Sequence, residues 1–149
     1  KWNLTDADSE IETSTNLLNQ VSVLNSSSRL KESNLQYTFK QSPNQIDIFG
    51  SATQVSEITQ DGETEVQEFF INQDVKNVGS WSLTDGNKVT LGSPIGINNN
   101  TSTLNSEAVY EIIEYSENKM IWLFKFDFSQ EEDGTFFTLK GDGKLTLER

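Results

Sequence analysis

Two acidic runs, Asp6-Ala7-Asp8-Ser9-Glu10 and Glu131-Glu132-Asp133-Gly134, hold the densest groups of oxygen ligands in the chain. Carboxylates so placed suit a hard cation such as calcium. Neither run has the ligand spacing of an EF-hand loop, and in a chain of net charge −12 acidic runs are expected as solvated surface. No metal is therefore assigned. A pair of carboxylates can also hydrolyse a glycoside. The candidates, Glu111 with Glu114 or Asp127, fall on strand faces or strand ends where exposure is expected.

The chain contains no histidine and no cysteine. That removes thiol nucleophiles, disulfides, Ser-His-Asp triads and every zinc site built on those ligands. No glycine-rich phosphate loop, nucleophile elbow or cofactor fingerprint appears either. With no imidazole to act as a base near neutral pH, few catalytic tools remain. The expectation is a protein that is not an enzyme, with no catalytic residue and no cofactor.

The 23 acidic residues outnumber the 11 basic ones, so the chain repels phosphate backbones and anionic lipid head groups. Nucleic acid is not an expected partner. No apolar run reaches the length of a membrane span. The start at Lys1 rather than Met suggests a processed product and leaves room for a removed signal peptide. A length of 149 residues fits one domain, 1–149, expected to act as a monomer. Apolar residues make up 34% of the chain and aromatics 10%, which predicts a thin core rich in rings.

The elements that position these residues read as strands from about residue 33 onward. In LQYTFK, Leu35, Tyr37 and Phe39 share one face; QIDIFG follows a Pro43-Asn44 turn and groups Ile46 with Ile48. SATQVSEITQ and TEVQEFFINQ flank Asp61-Gly62, a strong hairpin signal because both residues tolerate positive φ. Asp85-Gly86, Asp133-Gly134 and Asp142-Gly143 repeat that punctuation, the last splitting TFFTLKGDGKLTLER into a final strand pair. AVYEIIEYSENKMIWLFKFDF reads as a hairpin with Ser116-Glu117-Asn118 at its tip. Met120, Trp122, Phe124, Phe126 and Phe128 point one way along its second arm, opposite a strand through Tyr110 and Ile112.

Residues 8–32 lack a steady period of two, and Ile11, Leu17, Leu18, Val21 and Leu24 allow one or two helical turns. That segment reads as a long, partly helical connection, and 92–106 as a second long loop. Roughly eight to ten antiparallel strands in consecutive hairpins predict an all-β, up-and-down barrel, because closure removes exposed edges.

Gly79-Ser80-Trp81-Ser82-Leu83, a polar turn and Val89-Thr90-Leu91 resemble a strand pair of lipocalin-like proteins of the bacterial cell envelope. YEIIEYSENKMIWL is similar to that family's next hairpin. Lys1-Trp2-Asn3-Leu4 looks like the tail of a Gly-x-Trp strand, whose Trp in that family is covered by an arginine from the barrel's end. Here the resemblance implies that Arg149 stacks on Trp2. It further implies a secreted or lipid-anchored envelope protein, with an anchor cysteine upstream of Lys1.

Two functions follow. One is a carrier whose barrel cavity binds a small apolar or amphipathic ligand through Tyr37, Phe39, Tyr110, Trp122 and Phe124, its mouth ringed by 8–32 and 92–106. The other is a filled barrel that binds protein or glycan through polar loops.

Overall fold

The computed structural model describes residues 1–17, 20–78, 81–91, 108–132 and 134–149. Ten strands and no helix occur among them: β1 (Trp2–Leu17), β2 (Gln20–Ser33), β3 (Gln36–Lys40), β4 (Gln45–Gln60), β5 (Glu63–Val78), β6 (Trp81–Thr84), β7 (Lys88–Leu91), β8 (Ala108–Tyr115), β9 (Lys119–Glu132) and β10 (Thr135–Glu148). All pairings are antiparallel within one sheet. From one edge to the other it runs β5, β4, then β2 and β3 end to end, then β1, β10, β9, β8, β7 and β6.

At one end this sheet wraps a ring-rich core. Trp2, Leu4, Leu35, Tyr37, Ile46, Ile48, Tyr110, Met120, Trp122, Leu145 and Leu147 are buried there, with Phe39, Trp81, Ile112 and Phe124 packed against them. The alternation Leu35, Tyr37, Phe39 and Met120, Trp122, Phe124 is what brings these side chains to one face. Tyr110 pairs with Phe124 and Ile112 with Trp122, and Lys125 is exposed. The register shifts lie at this end, at Leu4/Asp6, Leu30/Glu32, Ile46/Ile48 and Ile112/Glu114. Bulges bend and twist strands, so they curl the sheet around its core.

The curl does not close. Among the described residues β5 pairs only with β4, and β6 only with β7. The Trp81 amide reaches the Asn44 carbonyl (3.3 Å) and its indole N–H the Lys40 carbonyl (2.8 Å). These bonds bring β6 to the β3–β4 turn without forming a ladder. The expected lipocalin-like barrel is therefore corrected to an open sheet. The physical cause is unequal strand length: β1, β2, β4, β5, β9 and β10 run 14 to 16 residues, whereas β3, β6 and β7 run four or five.

The long strands outrun the core. Ser28 and Ser56, both buried, share a 2.7 Å hydrogen bond between their hydroxyls and form its last layer. Beyond that row, in 11–17, 20–27, 57–67 and 125–141, no described side chain is buried. The sheet continues there as six strands that meet water on both faces. The partly helical connection expected over 8–32 is accordingly corrected as well. It forms β1 and β2, paired from Asp8↔Arg29 to Leu17↔Gln20. A period of two is visible only where one face is buried and the other wet, and here neither face is buried.

Asp61-Gly62 and Asp85-Gly86 are the turns expected, with φ of 53° and 84°, and 51° and 78°. Asp142-Gly143 is not a turn, because β10 passes through it without reversal. The loop 92–106, residues Gly79 and Ser80 and residue Asp133 lie outside the described residues.

Candidate functional site: the charged sheet face

The five residues expected to line a ligand cavity do come together, as a packed cluster. Phe39 and Trp122 have ring centroids 5.5 Å apart, Tyr110 and Trp122 5.6 Å, and Tyr110 and Phe124 5.7 Å. Tyr37 is buried beside them, and burial, followed by the neighbouring Tyr110, pushes its phenol well above the usual range. The carrier reading and the filled-barrel alternative both fail for the same reason: among the described residues no barrel closes to enclose a ligand or to carry the loops. Arg149 does cover Trp2, its guanidinium carbon 4.5 Å from the ring centroid.

The carboxylates singled out for chemistry are dispersed. Glu111 accepts a hydrogen bond from the Asn87 amide (3.2 Å), Glu114 pairs with Lys119 (3.2 Å) and Asp127 with Lys140 (3.3 Å). Among the described residues, no group of three or more His, Cys, Asp or Glu is arranged to hold a metal ion. Glu131 is exposed at the β9–β10 turn, and the rest of that acidic run is outside the described side chains.

The first acidic run has a different setting. Alternation along β1 puts Asp8, Glu10 and Glu12 on the face of the extension opposite the core side. On β10 the same face carries Lys144, Asp142 and Lys140, each directly across from one of them. β9 adds Lys125 and Asp127, and β2 adds Arg29, Ser27 and Asn25. The outer rows alternate in sign. Lys144 lies 3.3 Å from Asp8, which is also opposite Arg29, and Lys140 lies opposite Asp127 and Glu12. The middle row departs from that rule. Reading Lys125, Asp142, Glu10, Ser27, Glu57, it sets Asp142 directly against Glu10. Like charges opposite one another in a sheet are unfavourable.

Two concavities open on this face. One of about 380 Å³ is lined by Asp8, Glu10, Arg29, Glu57 and Asp142 among others, and one of about 720 Å³ continues past Glu12, Lys125, Asp127 and Lys140. Both are open to solvent and carry charged residues at their walls, and the larger one also exposes apolar surface. The signal for this site was present as acid at every second position in Asp6-Ala7-Asp8-Ser9-Glu10-Ile11-Glu12 and as alternating sign in Lys140, Asp142, Lys144. It is a strand periodicity written in charge rather than hydrophobicity.

Set beside family models, curated proteins and solved structures, this chain matches none of them. The groove and the open sheet therefore carry the functional reading. Among the described residues no helix is long and apolar enough to cross a membrane.

Proposed function

We propose that this protein is a non-catalytic interaction module whose charged sheet face docks cationic side chains of a partner polypeptide. The observation that carries this reading is the Glu10–Asp142 opposition on the groove floor, between rows that otherwise match acid with base. A guanidinium or ammonium group placed over that pair relieves the repulsion and gains two charge-assisted hydrogen bonds. Arginine suits the site better than lysine, since its planar fork spans two carboxylates on adjacent strands. The exposed position keeps each contact modest, so recognition is shared along the groove.

Binding of a capped oligoarginine peptide tests this by calorimetry at two salt concentrations. Glu10→Gln is expected to weaken binding about tenfold, or ~1.4 kcal/mol, while raising stability by about 0.2–1 kcal/mol through relief of the like-charge pair. Glu117→Gln, at the exposed β8–β9 tip, removes the same charge outside the groove and is expected to leave affinity unchanged. Equal weakening by both variants, or by neither, contradicts the assignment.

A further inference from the structure

The long edge of the sheet is a second feature, separate from the groove. β5 spans 16 residues and is hydrogen-bonded on one side only among the described residues. Proteins blunt such edges with short strands, prolines, bulges or charged side chains. The charges of β5 at Glu63, Glu65 and Glu68 are all acidic, which discourages acidic partners and admits basic ones. Here there is no proline in β5, and its ladder with β4 runs without a shift from Gln60↔Glu63 to Ile48↔Val75. Val66 and Phe70 are 60% and 68% exposed on it.

The turn at Asp61-Gly62 fixes which amides face outward. Its positive φ values mark a two-residue hairpin loop, closed by the bonded pair Gln60 and Glu63. Bonded and non-bonded pairs then alternate. Glu63, Glu65, Gln67 and Phe69 turn their amides to β4, and Thr64, Val66, Glu68 and Phe70 turn theirs away. The Thr59 and Thr64 hydroxyls, 2.9 Å apart, fit the closer approach of side chains at a non-bonded pair.

The geometry points to strand addition: an extended, basic segment of a partner protein pairs along the outer edge of β5. Main-chain hydrogen bonds from Thr64 to Phe70 supply the register, and alternate side chains supply the choice of partner. On one face the new strand meets Val66, Glu68 and Phe70, and on the other Glu63 and Glu65. Glu68 already pairs with Lys31 (2.7 Å), so an apolar residue opposite Val66 and Phe70 and lysines opposite Glu63 and Glu65 complement that pattern. A second copy of this chain does not, because it brings the same glutamates and a net charge of −12 to the same edge.

Hydrogen exchange resolved at single amides tests the inference, with the capped peptide VVKTVKTK as probe. Thr64, Val66, Glu68 and Phe70 are expected to exchange fast in the free protein and to slow about tenfold when the peptide is present at about ten times its Kd. The amides of Glu63, Glu65 and Gln67 are protected beforehand and are expected to change little. A peptide of the same sequence with its backbone fully N-methylated keeps the charge and loses the donors, so it is expected to leave the outward β5 amides unslowed, whatever its lysines gain at the groove. Slowing of the outward amides by the methylated peptide, or no slowing of them by the parent peptide, overturns the proposal. So does protection of those amides in the free protein that grows with protein concentration, since that assigns the edge to a second copy. Neither readout involves Glu10 or Asp142, so the groove and the edge stand or fall separately.

Discussion

Burial holds the Tyr37 phenol in its neutral form, and the consequence is a measurable loss of stability in alkali. The unfolded chain releases this proton near pH 10, and the folded chain only at higher pH. Above the unfolded value the folded state therefore binds more protons than the unfolded one. Stability is unaffected by this group below about pH 10 and falls above it, by up to ~1.4 kcal/mol per pH unit. Tyr37→Phe removes the titrating group and keeps the ring. Urea melts of the variant are expected to show a shallower decline between about pH 10 and pH 12 than those of the parent. Identical slopes would show that Tyr37 titrates in the fold as it does in the open chain. At the same scale, Arg149 over Trp2 ties the two ends of the chain at the floor of the core, where Tyr115 also meets the indole at 6.5 Å.

At the scale of elements, Gly143 explains how β9 and β10 pair without a turn between Lys140 and Lys144. It lies directly opposite Phe124, and a Cβ there would collide with the Phe124 ring and sit 2.6 Å from the Asp8 carbonyl oxygen. The glycine is a seat for the ring, not a reversal of the chain. Gly143→Ala is expected to cost about 1–3 kcal/mol in denaturant melts, because the ring and the β1 backbone must both give way. A neutral effect would place the ring elsewhere. This glycine also shows where the sequence misleads. Asp-Gly at 61–62 and 85–86 marks true turns, yet the same dipeptide at 142–143 sits in mid-strand, because a glycine that admits a neighbouring ring looks no different from one that admits positive φ. The core strands were legible, since Leu35, Tyr37 and Phe39 or Met120, Trp122 and Phe124 alternate against polar neighbours. β1 and β2 were not, because Ser9, Thr13 and Thr15 occupy core-side positions where no core remains to demand an apolar residue. The charged groove was missed for a related reason. Asp8, Glu10 and Glu12 read as a solvated run until β10 sets Lys144, Asp142 and Lys140 across from them.

The whole molecule is a sheet larger than its core. One end curls about a cluster of rings, and six strands carry on past it with water on both sides. A strand rises roughly 3.3 Å per residue, so the unburied stretch of β1 beyond Ser9 adds on the order of 25 Å of exposed surface. The grooved face carries charge, and the outer edge of β5 carries backbone with no strand partner among the described residues. The open architecture is most directly tested by thiol labelling, for which a chain without cysteine is well suited. Single variants Thr13→Cys on the core side of the extension, Glu12→Cys on the opposite face and Ala7→Cys in the core are exposed to a bulky maleimide under native conditions. Glu12→Cys is expected to react at a rate near that of a free thiol and the half-buried Thr13→Cys more slowly but far faster than Ala7→Cys, which at 3% exposure is slower by orders of magnitude. Protection of Thr13→Cys to the level of Ala7→Cys, with Glu12→Cys still reactive, would mean that the core side is enclosed and the sheet is closed after all.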